Sequence, residues 1–115
     1  MITKGMQMVL TEEVTPSNTA AALGSGSLAV YATPAMMLLI EKTAVQLLSG
    51  NLDEDMTTVG TELHVEHVAP SPVGSRINCQ VTLTEIDRKL LTFEVEVTDQ
   101  REVVGKGIHR RFIVS

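Results

Sequence analysis

Glu41 is the residue whose type and position most suggest chemistry. It lies within an apolar series from Ala35 to Leu48, outside the polar arc that Lys42 and Gln46 would form on a helix. A carboxylate on the apolar side of a buried helix is costly unless a partner or a reaction uses it. Such a group suits a general base, and the alternative is a structural ion pair with a buried Arg or His.

Thr33 and His67 are two further candidates for a reactive site. Thr33 precedes Pro34, and this pair predicts that a helix begins here with Thr33 as its N-cap. A helix N-terminus also presents free N–H groups that suit a developing oxyanion. Glu41 would lie ~12 Å further along the axis with its side chain leaning back, so it could face the same ligand. His67 shares a strand face with Val65, where a histidine is either a satisfied core residue or a catalytic group.

Alternating apolar residues predict the elements that would position these side chains. The expected strands cover residues 5–14, 57–68, 75–86, 90–98 and 102–114. A helix is predicted over 34–48, with Gly50 just beyond its end. Polar turns at 87–89 and 99–101 predict antiparallel hairpins, so the last four strands should form a meander. Residues 1–115 are therefore expected to form one α+β domain, in which a sheet of about five antiparallel strands wraps a central helix that is apolar nearly all round.

The composition excludes several classes of protein. The 115 residues carry a net charge of −5, and only 3% of them are aromatic, so a nucleic-acid-binding surface is not expected. Cys79 is the only cysteine, and the His and acidic residues show no metal-ligand spacing. No run is long enough to span a membrane, and residues 1–13 lack the features of a signal peptide. We expect a soluble cytoplasmic protein without a metal and without membrane partners.

Positive charge is concentrated towards the C-terminus. Residues 1–69 carry two Lys and Arg against eight Asp and Glu, whereas residues 70–115 carry seven against six. Four of these seven basic residues fall in the last fifteen positions, namely Arg101, Lys106, Arg110 and Arg111. They form either a solvated strand face or a positive rim that receives an anionic ligand.

Four motifs follow one another along the chain. They are residues 30–41 (VYATPAMMLLIE), Gly60 seven residues before His67, the run His67-x-Ala69-x-x-Pro72-x-Gly74, and Gly105-x-Gly107-x-His109-x-Arg111. In this order and spacing the chain resembles the fluoroacetyl-CoA thioesterase-like family over nearly its whole length. The resemblance implies the hot dog fold, in which an antiparallel sheet wraps a central helix, and assembly as a homodimer or a tetramer.

The same resemblance implies a reaction and a set of roles. Thr33, Glu41 and His67 match the catalytic positions of the family, and Gly60 matches the glycine whose backbone N–H helps to hold the thioester carbonyl. The implied reaction is hydrolysis of an acyl-CoA to a free acid and CoA, with no cofactor apart from the coenzyme A of the substrate. Glu41 would act as a base towards water or as a nucleophile.

Substrate-binding residues are expected around this site. Tyr31, Met36 and Met37 are expected to line the acyl site, and Arg110 and Arg111 to bind the phosphates of CoA. The segment upstream of the helix is rich in Gly and Ser where the fluoroacetate-specific enzyme carries bulky aromatic residues, so fluorine selectivity is not implied.

Three alternatives remain open at the level of sequence. The first is a hot dog enoyl-thioester hydratase or dehydratase, which also needs a His and a carboxylate but at other positions. The second is a non-catalytic acyl-CoA binding module. The third is a structural dimer without a ligand, which would leave Glu41 without a role.

Overall fold

A computed structural model describes residues 1–115, which form five strands, two α-helices and a single 3-10 turn at Pro16–Asn18. Helix α1 spans Ala20–Leu23 and helix α2 spans Thr33–Leu48. The predicted helix and strands are confirmed to within two residues at each end. Neither helix has the length and apolar character needed to cross a membrane. The strands are β1 (Gln7–Glu13), β2 (Thr57–His67), β3 (Arg76–Asp87), β4 (Leu90–Thr98) and β5 (Val103–Val114).

The five strands form one antiparallel sheet in the order β1-β3-β4-β5-β2. The two predicted hairpins are present, because β3 pairs with β4 and β4 pairs with β5. The predicted four-strand meander is wrong for β2, which pairs with β5 at the far edge, while β1 lies beside β3. Residues 68–75 carry the chain across the sheet, and a strand's own alternation does not specify which neighbour it will pair with.

Helix α2 packs on one face of the sheet and contacts β1, β2 and β3. Eight of its side chains are buried, and they form the core with inner-face residues of the central strands such as Leu83 and Phe93. The opposite side of α2 is exposed and includes Leu38 and Val45. The sheet covers one side of α2, in agreement with the predicted sheet wrapped around a central helix, and it leaves the apolar Leu38 and Val45 uncovered within this chain.

A β-bulge in β2 decides which side chains face the helix. The register between β2 and β5 shifts on either side of Thr61, which is the extra residue. Gly60 lies opposite Arg111, and both face inward, whereas Val59 faces outward and is 48% exposed. Regular alternation along residues 57–68 would place Val59 on the same face as His67, and the extra residue reverses this arrangement.

The loop that follows His67 is anchored by the buried carboxylate of Asp99. Asp99 accepts hydrogen bonds from the Ser71 hydroxyl at 3.0 Å and from the backbone N–H of Arg101 at 2.8 Å. Burial alone would raise the pKa of Asp99, but the hydrogen bonds it accepts hold this pKa below its usual value. The turn between β4 and β5 thereby fixes the position of the loop that follows His67.

Candidate active site

Thr33 and His67 meet where α2 begins and β2 ends. The Oγ1 atom of Thr33 lies 2.8 Å from Nδ1 of His67. The prediction that Thr33 caps the helix is wrong, because Ala32 occupies the N-cap position and makes no side-chain hydrogen bond there. Thr33 is the first helical residue, and its hydroxyl is free to orient the imidazole.

The other ring nitrogen of His67 has no partner within the chain. Nε2 is buried and makes no hydrogen bond, and the ring of Tyr31 packs edge-on at 6.4 Å between centroids. Burial lowers the pKa of His67 below 6.5, and the backbone of Ala69 acts in the opposite direction. Burial therefore favours the neutral imidazole, and Nε2 is the atom that remains for a ligand.

A cavity of about 270 Å³ lies beside His67. Its walls include Tyr31, Thr33 and Ser25 from the segment rich in Gly and Ser. The Tyr31 hydroxyl is turned away from solvent and donates a hydrogen bond to the carboxylate of Glu12. Burial, reinforced by this carboxylate, raises the pKa of Tyr31, so the phenol stays protonated.

The two methionines predicted for the acyl site lie in different surroundings. Met36 is fully buried, and a Cβ at Gly105 would come within 2.6 Å of its sulfur. The structure thus places Met36 in the core, outside the cavity beside His67. Met37 is half-buried against the core.

Glu41 forms an ion pair with Arg111. Its Oε2 atom lies 3.2 Å from Nη1 of Arg111, whose side chain is only 6% exposed, whereas the Glu41 side chain is 39% exposed. Thr58 holds the rest of the guanidinium, through its Oγ1 at 2.8 Å from Nε and its carbonyl oxygen at 3.2 Å from Nη2. The buried charge of this pair is the guanidinium, so the carboxylate has a fixed partner and still reaches solvent.

Gly60 lets the backbone of the bulge approach this pair closely. A Cβ at Gly60 would lie 2.5 Å from Oε2 of Glu41 and 3.2 Å from Nη1 of Arg111. Any larger residue would therefore displace the carboxylate. Gly60 and Glu41 are therefore direct neighbours within one chain.

The structure brings the predicted residues together in two groups. Thr33 and His67 line the cavity of about 270 Å³, whereas Glu41 and Arg111 line a groove of about 490 Å³ beside the exposed Leu38. These two spaces share no lining residue. Within one chain, the carboxylate and the imidazole do not face a common cavity.

Arg110 and Arg111 point to opposite faces of β5. Arg110 lies on the outer face, where its Nη1 donates to Glu62 at 2.7 Å and its Nε donates to Thr92 at 3.2 Å. Each arginine has an acidic partner, so the two do not form the shared positive rim that their charges suggested. Lys106 is exposed on the same strand.

His109 is a buried polar residue that the sequence analysis did not assign to the site. Its Nδ1 lies 2.8 Å from the carbonyl oxygen of Glu62, and its Nε2 lies 3.2 Å from Nη1 of Arg111. The available signal was its spacing of two from Arg111, which puts both on one strand face. Burial lowers the pKa of His109, the Glu62 carbonyl opposes this effect, and the charge of Arg111 adds to it.

We expect the free energy of unfolding to decrease as the pH falls below about 6.5, which is the pKa of a histidine in the unfolded chain. The pKa values of His67 and His109 are lowered in the folded state, so the unfolded chain binds more protons between those values and 6.5. Their contribution to stability is complete above the unfolded pKa and is lost progressively as the pH falls through this window.

Urea unfolding followed by circular dichroism between about pH 5 and pH 8 would measure this dependence. His109→Gln should flatten the profile, whereas the same measurement on His64→Asn, at an exposed position of β2, should leave it unchanged. A wild-type stability that is constant or rises towards acid would contradict the expectation.

Comparison with known proteins identifies the family. The family model described as fluoroacetyl-CoA-specific thioesterase (FlK) matches residues 14–115. The chain belongs to this family. The fluoroacetyl-CoA thioesterase of Streptantibioticus cattleyicolor is 27% identical to it over 85 residues, which are 74% of this chain. The match covers 61% of that relative, less than two thirds of its length.

Solved structures show the same fold as this FlK-family chain. The fluoroacetyl-CoA thioesterase FlK matches with a TM-score of 0.92 and 23% identity, over 99% of this chain and 89% of that protein. A thioesterase superfamily member from Thermus thermophilus matches with a TM-score of 0.90 and 22% identity, over 99% and 85% of the two chains. A hot-dog-like protein from Thermanaerovibrio acidaminovorans matches with a TM-score of 0.89 and 22% identity, over 97% and 83%. The predicted hot dog fold is confirmed.

Proposed function

We propose that this chain is an acyl-CoA thioesterase that hydrolyses a thioester to a free acid and CoA. The observation that carries the proposal is the buried, unpartnered Nε2 of His67, which is oriented through Nδ1 by Thr33 beside a cavity. Membership of the FlK family supports the reaction class. The solved relatives include a variant of the fluoroacetyl-CoA enzyme in complex with acetyl-CoA, which supports a CoA ester as the substrate class.

The arrangement of the residues suits a two-part reaction at the thioester carbonyl. We assign the tautomer in which Nδ1 of His67 accepts from the Thr33 hydroxyl, so Nε2 carries the hydrogen and donates a hydrogen bond to the carbonyl oxygen as negative charge develops there. Glu41 removes a proton from the attacking water, or adds to the carbonyl carbon itself and is regenerated by water. The C–S bond breaks, and CoA leaves as a thiolate that takes up the proton given up by the attacking water.

The backbone N–H of Gly60 is proposed to help to hold the carbonyl oxygen, because Glu41 packs directly against this glycine. Tyr31, which lines the cavity beside His67, and Met37, which lies outside that cavity, remain the proposed acyl-site residues, and Arg110 the proposed ligand of a CoA phosphate. We assign the reaction no cofactor beyond the coenzyme A of the substrate, and we place the enzyme in the cytoplasm.

A homodimer is proposed to complete the site. Glu41 and His67 line separate spaces in one chain, so a second chain could supply the missing half of each. Strand β2 is an edge strand and is open to pairing on one side, while Leu38 and Val45 are exposed beside Glu41. Light scattering after gel filtration should give the molar mass of a dimer, or of a tetramer made of two dimers. A fully active monomer would contradict the proposal.

Thiol release from a panel of acyl-CoA esters tests the reaction directly. Acetyl, branched, aromatic and long-chain esters would be incubated with the protein, with a disulfide reagent to detect CoA and chromatography to detect the free acid. Equal amounts of thiol and acid are expected. Conversion of an enoyl ester to a 3-hydroxyacyl ester without thiol release would favour a hydratase, and binding without turnover would favour a binding module.

A further inference from the structure

The ring of His109 is held in one orientation inside the protein. The side chain is fully buried on β5, and its ring stacks on Phe93 with centroids 6.0 Å apart and an interplanar angle of 27°. A buried imidazole with two polar nitrogens requires two partners. Both are present, the Glu62 carbonyl at Nδ1 and the Arg111 guanidinium at Nε2.

The chemistry of these partners determines the position of the proton on His109. A carbonyl oxygen only accepts, so Nδ1 carries the hydrogen and donates it to Glu62. A guanidinium only donates, so Nε2 is unprotonated and accepts from Nη1 of Arg111. The neutral Nδ1–H tautomer is the one form of the ring that satisfies both contacts.

The Nη1 atom of Arg111 is shared between His109 and Glu41. It lies 3.2 Å from Nε2 of His109 and 3.2 Å from Oε2 of Glu41, and it has one hydrogen for each. Without the acceptor on His109, the freed N–H would lie buried without a partner, which is costly. The guanidinium would then turn towards the other acceptor within reach, the Glu41 carboxylate.

We propose that His109 is a positioning residue that holds the Arg111 guanidinium in the one orientation that leaves Glu41 aimed at the substrate. The proposal rests on the proposed role of Glu41 in thioester hydrolysis. Gly60 supports it, because a Cβ there would meet Oε2 of Glu41, Nη1 of Arg111 and, at 3.5 Å, Cε1 of His109. The three side chains therefore surround the same point of the bulge.

Two substitutions of His109 separate positioning from packing. In His109→Asn the amide can still donate to the Glu62 carbonyl but does not reach Arg111. In His109→Gln the longer amide can accept from Arg111 and gives up the contact with Glu62. A displacement of ~1 Å at a reacting group costs about a hundredfold in rate, so we expect His109→Asn to lower kcat by about tenfold to a hundredfold.

The kinetic pattern distinguishes this role from a structural one. KM should change by less than about threefold in His109→Asn, because the lost interaction acts on the reacting group rather than on binding. His109→Gln should be faster than His109→Asn by about tenfold, although both lose one buried hydrogen bond. Thermal unfolding of both variants gives their stabilities. Equal kcat values for the two, or values that follow their stabilities, would overturn the proposal, as would a wild-type kcat in His109→Asn.

Repeating His109→Asn in a Glu41→Gln background tests whether His109 acts through the carboxylate. No further loss of kcat is expected there, because the group that His109 positions has been removed. A further loss as large as in the wild-type background would overturn the positioning role while leaving Glu41 catalytic. A wild-type rate in Glu41→Gln alone would overturn both the role of Glu41 and the role of His109.

Discussion

Replacing Glu41 with Gln is expected to lower kcat by about a thousandfold, within the range that general acid–base catalysis contributes. The amide has the same size and can still accept a hydrogen bond from Arg111, which lies 3.2 Å from the carboxylate. It cannot take a proton from water or add to a thioester. KM should change little, because the loss falls on the chemical step. Thiol release under saturating acyl-CoA measures the effect.

Glu94→Gln provides a matched control for this experiment. Glu94 is exposed on the outer face of β4 and lies outside both spaces that the candidate residues line. Glu94→Gln removes a negative charge in the same way, and this variant should release thiol at the wild-type rate. If Glu41→Gln retained the wild-type rate, the thioesterase activity would stand, and the mechanism through Glu41 would be wrong.

Gly60→Ala is expected to lower kcat by about a hundredfold, the cost of displacing a reacting group by ~1 Å. The new Cβ would lie 2.5 Å from Oε2 of Glu41, which is too close for any real contact. The atom that must yield is the end of a flexible side chain, and the φ angle of Gly60 is not positive, so an alanine backbone is allowed. The rate should therefore fall with only a small change in melting temperature.

Melting temperatures and a double variant identify the origin of this loss. Gly60→Ala combined with Glu41→Gln should be no slower than Glu41→Gln alone, because the displaced group no longer acts. Losses that multiply in the double variant would mean that the methyl group blocks the substrate or the backbone N–H instead. A large drop in melting temperature would mean that the backbone of the bulge has moved.

The elements of this fold could be predicted from local pattern. Apolar alternation marked the strands, and the Thr33-Pro34 pair with Gly50 marked the ends of α2, because side-chain burial imposes the periods of 2 and 3.6 on the chain itself. Glu41 was found in the same way, as a charge where the helical period called for an apolar residue. The four motifs, read as a family resemblance, added Gly60 and favoured a catalytic role for His67 over a structural one, and the family was confirmed.

The partners of these residues depended on tertiary structure. Strand β2 pairs with β5 instead of β3, and the extra residue Thr61 reverses its faces, which no alternation within β2 alone reveals. The ion pair of Glu41 with Arg111 joins residues 70 positions apart. The Arg111 guanidinium, which was a candidate for a positive rim at the surface, lies in the interior. Local periodicity reports whether a residue is buried, whereas the identity of its partner depends on long-range strand order, which the packing of the whole chain determines.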